Sequence, residues 1–86
     1  MQTPTSQIIV RRFFEAIHEL KSRKAIRGVQ TFTTKYGINK RNFYTCEAQP
    51  ERDMFQVAWL GYLVTDYNVS PRWLLTGEGD FLSENS

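Results

Sequence analysis

Gly37 constrains this chain more than any other residue, because apolar residues stand at fixed distances on both sides of it. Phe32 lies five positions before it, Tyr36 one before, Ile38 one after, Phe43 six after and Cys46 nine after. Glycine adopts positive φ at little steric cost, and a tight turn between two steeply crossed helices demands that conformation. The spacing therefore predicts two short helices, over about 29–36 and 39–47, with those five apolar residues facing the seam between them. Asn39, Lys40, Arg41, Asn42, Tyr44 and Thr45 are left to face outward on the second of the two. Such a set can donate hydrogen bonds to phosphates and base edges.

The rest of the chain reads as helices of similar scale. From Gln7 to about Arg23, Ile9, Val10, Phe13, Phe14, Ile17 and Leu20 recur at intervals of three and four, the helical period. Thr5 or Ser6 is the expected cap, and Lys21, Arg23 and Lys24 complement the dipole at the far end. Gly28 breaks the pattern ahead of the second helix, and Asn39 is the expected cap of the third. Pro50 closes a loop. A fourth helix is predicted over Glu51 to Tyr67, with Phe55, Ala58, Trp59, Tyr62 and Leu63 on one face and Met54, Val57 and Leu60 alongside. So broad an apolar stripe implies a central, mostly buried helix. Gly61 within it costs roughly 1 kcal/mol against alanine, for which close packing on a neighbour would be a reason. Asn68 is placed to end that helix in the left-handed conformation. Ser70 followed by Pro71 restarts a short fifth helix, ending at Gly77. Phe81 and Leu82 are expected to fold back on the core, and 83–86 to fray.

Eighty-six residues suggest one domain. A chain this short buries only ~60–65% of the surface its unfolded form exposes, so six Phe, four Tyr and two Trp must supply most of the core. No run approaches the ~18 apolar residues of a membrane span, and the first residues carry no basic-then-apolar secretory pattern. The single cysteine excludes an internal disulfide and a multi-cysteine metal site. A cytoplasmic protein is expected, with no membrane association, no metal and no cofactor. Net charge is only +2, but it is polarised. Nine basic and three acidic residues give +6 through Glu47, whereas two basic and six acidic ones beyond it give −4. That dipole would turn the basic half toward a polyanion during encounter.

The glycine-centred spacing is similar to the helix-turn-helix of the lambda-repressor and Cro-like family of bacterial and phage DNA-binding domains. The run Ser70-Pro71-Arg72-Trp73-Leu74-Leu75-Thr76-Gly77-Glu78-Gly79-Asp80-Phe81 resembles the fifth-helix region of phage-type repressor domains. The resemblance implies an all-α, five-helix domain across 1–86, with an ordered core over about 6–82 and the helix-turn-helix as helices two and three. Two positions depart from the pattern. Thr33 stands where the family has alanine, and Val29 where it has a phosphate-contacting glutamine, with Gln30 next to it.

The implied function is sequence-specific binding of double-stranded DNA by a transcriptional repressor. Asn39, Lys40, Arg41, Tyr44 and Thr45 are the candidate base contacts. Arg41 is better suited than Lys40 to guanine, through its planar fork, while Asn39 reads adenine or only caps the helix. Tyr44 meets a sugar or thymine methyl, or packs on helix two. Gln30, Thr31, Thr34 and Lys35 are candidate phosphate contacts, which set register without reading sequence. Arg27, with Arg23 and Lys24, would add a diffuse phosphate field. Trp73 with Leu74, Leu75 and Phe81 is either core or part of a homodimer face, since the fifth helix often pairs subunits in the resembled family.

Other patterns have plainer readings. Cys46 is expected to be a small buried hydrophobe and His18 a surface or packing residue. Glu15 and Glu19 share a helix face and suit salt bridges rather than acid–base work. Gly77-Glu78-Gly79 lacks the context of a nucleotide loop and reads as a turn. No nucleophile–base pair or small-molecule ligand is evident, so an enzyme is not expected. The alternative function is a protein-interaction adaptor, antitoxin-like or antirepressor-like, using the aromatic C-terminal half.

Overall fold

The computed structural model describes residues 4–52 and 54–83. Five helices follow one another: α1 (Pro4–Ser22), α2 (Val29–Lys35), α3 (Lys40–Ala48), α4 (Val57–Asp66) and α5 (Pro71–Thr76). Among the described residues the only pairing of extended backbone is an isolated antiparallel bridge between Val69 and Leu82. No helix among them is long and apolar enough to cross a membrane.

α1 is the spine. Of the stripe its periodicity predicts, Val10, Phe13, Phe14, Ile17 and Leu20 are buried, with Ala16 beside them, whereas Ile9 is only half-buried. Phe13 is the hub, fully buried, with Phe14, Phe32, Phe43, Phe55 and Trp59 arranged around its ring. The helix begins at Pro4, so Thr5 and Ser6 lie inside its first turn rather than ahead of it. At the other end Lys24 takes a left-handed φ of 65°, and Ala25 donates its N–H to the Leu20 carbonyl at 2.9 Å. That turn brings Ile26 into the core.

The predicted fourth helix is too long. Residues 49–52 and 54–56 form turns and extended backbone, and α4 starts only at Val57. Phe55 still reaches the core from this non-helical segment, with its ring 5.1 Å from both Phe13 and Trp59. Nor is α4 mostly buried. Trp59 and Leu63 face inward, whereas Val57 is 79% exposed. A Cβ at Gly61 would meet nothing within 4 Å, so close packing does not explain that glycine.

Beyond α4 the local signals match the structure. Asn68 has φ 59°. The Ser70 side chain accepts from the Trp73 N–H at 3.2 Å, with Pro71 in the first turn of α5. Gly77 ends α5 at φ 79°. Arg12 on α1 donates to the Leu74 carbonyl at 3.0 Å, giving a C-terminal carbonyl of α5 a partner. Phe81 and Leu82 pack on the core as expected. Ser83 is held rather than frayed: its N–H donates to the Asn68 carbonyl at 2.9 Å, and the Asn68 side chain donates back to its carbonyl at 3.1 Å. The remainder of the expected frayed end, 84–86, lies outside the described residues.

Candidate nucleic-acid interface

The turn between α2 and α3 is built around Gly37, whose φ is 64°. Ile38 donates its N–H to the Thr33 carbonyl at 2.9 Å, closing the end of α2 before the chain reverses. A Cβ on Gly37 would meet no atom within 4 Å. The cost of Gly37→Ala is therefore conformational rather than steric. We expect a loss of about 1–2 kcal/mol, read as a lowered urea midpoint with an unchanged m-value.

The seam forms as the spacing predicts. Phe32, Phe43 and Cys46 are fully buried, and Tyr36 and Ile38 pack against them. Thr33, which stands where the resembled family has alanine, is 2% exposed. Its hydroxyl donates to the Gln30 carbonyl at 3.1 Å, so the extra polar group is satisfied within α2.

With Phe43 and Cys46 turned inward, α3 presents Lys40, Arg41, Asn42 and Tyr44 to solvent, Tyr44 being 46% exposed. Thr45 is half-buried beside them. The Asn39 side-chain oxygen accepts from the Asn42 N–H at 3.0 Å. Asn39 thus caps α3, and its amide nitrogen is the group left to face outward. Among the described residues neither Lys40 nor Arg41 has a hydrogen-bond or ion-pair partner.

Gln30, Thr31, Thr34 and Arg27 are exposed along or just before α2. Lys35 is exposed too, yet it is drawn inward along the surface. Its ammonium lies 4.0 Å from the Asp66 carboxylate and 5.3 Å from the ring centres of both Tyr36 and Tyr67. Tyr36 stacks on Tyr62 at 4.0 Å and donates its hydroxyl to Asp66. These contacts brace the end of α2 against α4. Burial, and then the hydrogen bond to Asp66, hold the Tyr36 phenol above its ordinary range. His18 meets Glu47 at 2.7 Å, tying α1 to the last turn of α3.

Asn42 belongs to the outward set of α3 but is not one of the five candidate base contacts. With Gly37, Asn39, Gln56 and Tyr62 it borders a polar cavity of about 440 Å³ between the turn and the start of α4. Gln56 caps α4 without a side-chain bond; the Trp59 N–H is bonded to the Gln56 carbonyl at 3.0 Å, and the Val57 and Ala58 amides have no side-chain cap among the described residues. The late start of α4 brings Gln56 there, and no local sequence signal marks that start.

The expected dimer-face residues divide. Leu74 is 1% exposed and belongs to the core. Trp73 and Phe81 are half-buried against each other, ring centres 4.9 Å apart at 87°. The outward leucine is Leu75, 51% exposed. It borders an apolar groove of about 500 Å³ with Val57, Leu60, Gly61, Val64 and Pro71.

Burial pushes the Cys46 thiol up to about 11. A raised pKa means that the folded state retains its proton longer than the unfolded chain does. This contribution is intact below the ordinary thiol range of ~8.5 and fades as pH climbs toward 11. Tyr36 acts in the same direction at higher pH. The midpoint of thermal unfolding should accordingly fall between pH 8.5 and 11, and Cys46→Ala should flatten the lower part of that decline. In the native protein the thiol should resist a disulfide reagent at pH 8 and react promptly once urea unfolds the chain.

No family model matches the chain, and neither the curated proteins nor the solved structures include a significant match.

Proposed function

We propose that this protein binds double-stranded DNA sequence-specifically and acts as a bacterial or phage transcriptional repressor of the lambda-repressor-like helix-turn-helix type. The observation that carries the reading is the two-sidedness of α3: Phe43 and Cys46 are buried, while Lys40, Arg41 and Asn42 are exposed and both cations lack a protein partner among the described residues. A surface cation kept free of carboxylates remains available to an outside anion. In this reading α3 enters the major groove, with Arg41 and Lys40 donating to guanine edges and Tyr44 and Thr45 following one turn on. Gln30, Thr31, Thr34 and Arg27 contact phosphates, and the Val57 and Ala58 amides of α4 beside Asn42 supply a further clamp. Lys35 contributes by rigidifying α2 as much as by touching a phosphate. Repression follows from steric occupation of the operator. A dimer would favour half-sites ~34 Å apart.

The reading is tested by anisotropy titrations of labelled duplex over a salt series. Log K should fall linearly with log salt, and Arg27→Ala, which removes a cation placed on a phosphate, should reduce the slope by ~1. A salt-independent affinity, or no measurable binding to any duplex from a random pool, would reject it.

A second reading is favoured by the apolar groove between α4 and α5, with Val57 and Leu75 exposed beside it. An apolar surface of this kind suits a protein partner, either a second copy in a homodimer or the target of an antitoxin-like or antirepressor-like adaptor. Amide shift mapping with mixed duplex separates the functions. Shifts at 30–45 support DNA binding, and silence there with shifts confined to α4 and α5 supports the adaptor.

A further inference from the structure

α1, α5 and the segments that follow each of them enclose an open cleft of about 560 Å³ lined by Glu15, His18, Glu19, Arg23, Trp73 and Phe81. One wall is aromatic, the edge-to-face pair of Trp73 and Phe81. The other is a stripe of α1, where positions 15, 18 and 19 recur at helical spacing, continued in the turn just beyond the helix by Arg23, whose backbone N–H donates to the Glu19 carbonyl at 2.9 Å. A cation already sits between the walls. The Arg23 guanidinium carbon lies 5.1 Å from the centre of the Phe81 ring, while Arg23 Nε donates to the Glu19 carboxylate at 2.6 Å. An aromatic face and a carboxylate on one guanidinium are the two components of an organic-cation receptor.

The internal cation is loosely held. The Arg23 and Glu19 side chains are 49% and 45% exposed, so water screens their attraction. His18 does not compete for the site's carboxylates, since it is directed to Glu47 at 2.7 Å. Glu15 has no ion pair among the described residues. If Arg23 swings out, the cleft presents two carboxylates opposite two aromatic rings. An anion would face both carboxylates, and a neutral apolar ligand would gain from neither.

We propose that this cleft binds an organic cation of guanidinium or alkylammonium type, which displaces Arg23 from Phe81 and Glu19. The site stands apart from the DNA reading and does not rest on it. The test is an NMR titration of the full chain with methylguanidinium chloride, following the Trp73 indole N–H and the amides of 15–23, against sodium chloride at matched ionic strength. Saturable shifts with a dissociation constant of ~1–10 mM are expected, as suits a small ligand at a half-exposed site. Arg23→Ala removes the internal competitor and should tighten binding by ~3-fold or more, whereas Glu19→Gln should weaken it by a similar factor. Lys24→Ala removes a neighbouring charge outside the cleft and should leave the affinity unchanged, which separates displacement from a general field effect. These side chains are exposed, and a circular-dichroism melt verifies that each variant folds. A glycine-flanked single-arginine peptide distinguishes the source of the cation: tighter binding than methylguanidinium assigns the site to a polypeptide side chain, and equal binding to a free small cation. Shifts no different from the salt control, an Arg23→Ala variant that binds no better than the parent, or a Lys24→Ala variant that matches Arg23→Ala would overturn the proposal.

Discussion

Phe13→Ala is expected to lower the unfolding free energy by about 3–5 kcal/mol, the largest loss from any single truncation considered. Phe13 is 0% exposed. Its ring centre lies 5.0 Å from Phe14, 5.9 Å from Phe32, 5.9 Å from Phe43, 5.1 Å from Phe55 and 6.0 Å from Trp59. Those neighbours come from α1 itself, α2, α3, the 54–56 segment and α4, so no single helix can shift to fill the void. A domain of this size has a total stability of roughly 5–10 kcal/mol, and the variant should be partly unfolded at 37 °C. Phe13→Leu retains most of the volume and should cost less than half as much. Urea unfolding followed by tryptophan fluorescence and circular dichroism measures both. A loss under ~1.5 kcal/mol for the alanine variant would mean that the cluster can collapse around the gap, contrary to the packing described.

Arg41→Ala carries the second large effect, on binding rather than stability. Arg41 is exposed in the first turn of α3 and lacks a partner among the described residues, so its removal should leave the thermal midpoint almost unchanged. If it reads a base, the specific operator should lose about 1–3 kcal/mol, while a random duplex loses far less. Arg41→Lys isolates the reason. It keeps the charge but not the planar fork, so it should preserve most non-specific affinity and forfeit discrimination. Competition anisotropy against the selected site and a scrambled one gives both quantities. Equal losses on the two duplexes would remove Arg41 from base reading and leave it a phosphate contact.

The features legible in the sequence are those whose cause is local. Gly37 with its flanking apolar spacing, Asn39 as a cap, Asn68 in the left-handed region and the Ser70–Pro71 restart each express a preference within a few residues of themselves, and each is realised. Phe55 shows where this stops. Its spacing to Trp59 and Tyr62 is helical, and it does reach the core, but from a non-helical segment. Periodicity identifies which residues face inward and is less decisive about the path that brings them there. Leu74 and Leu75 show the same limit in a six-residue helix, too short for the pattern to set which leucine turns in. The contacts of Lys35 with Asp66, Tyr36 with Tyr62 and His18 with Glu47 join residues 26 to 31 positions apart, and no local rule links them. Lys35 could therefore be read only as a free cation.

The bond from Arg12 to the Leu74 carbonyl spans 62 residues and joins the first helix to the last. On the ribosome, α1 emerges with Phe13, Phe14 and Ile17 uncovered, and α5 follows only after α2, α3 and α4 have been translated. Native closure must therefore wait for α5. During that interval the nascent chain offers a greasy amphipathic rod to chaperones, and prematurely terminated products ending before Leu74 should be degraded rather than accumulate.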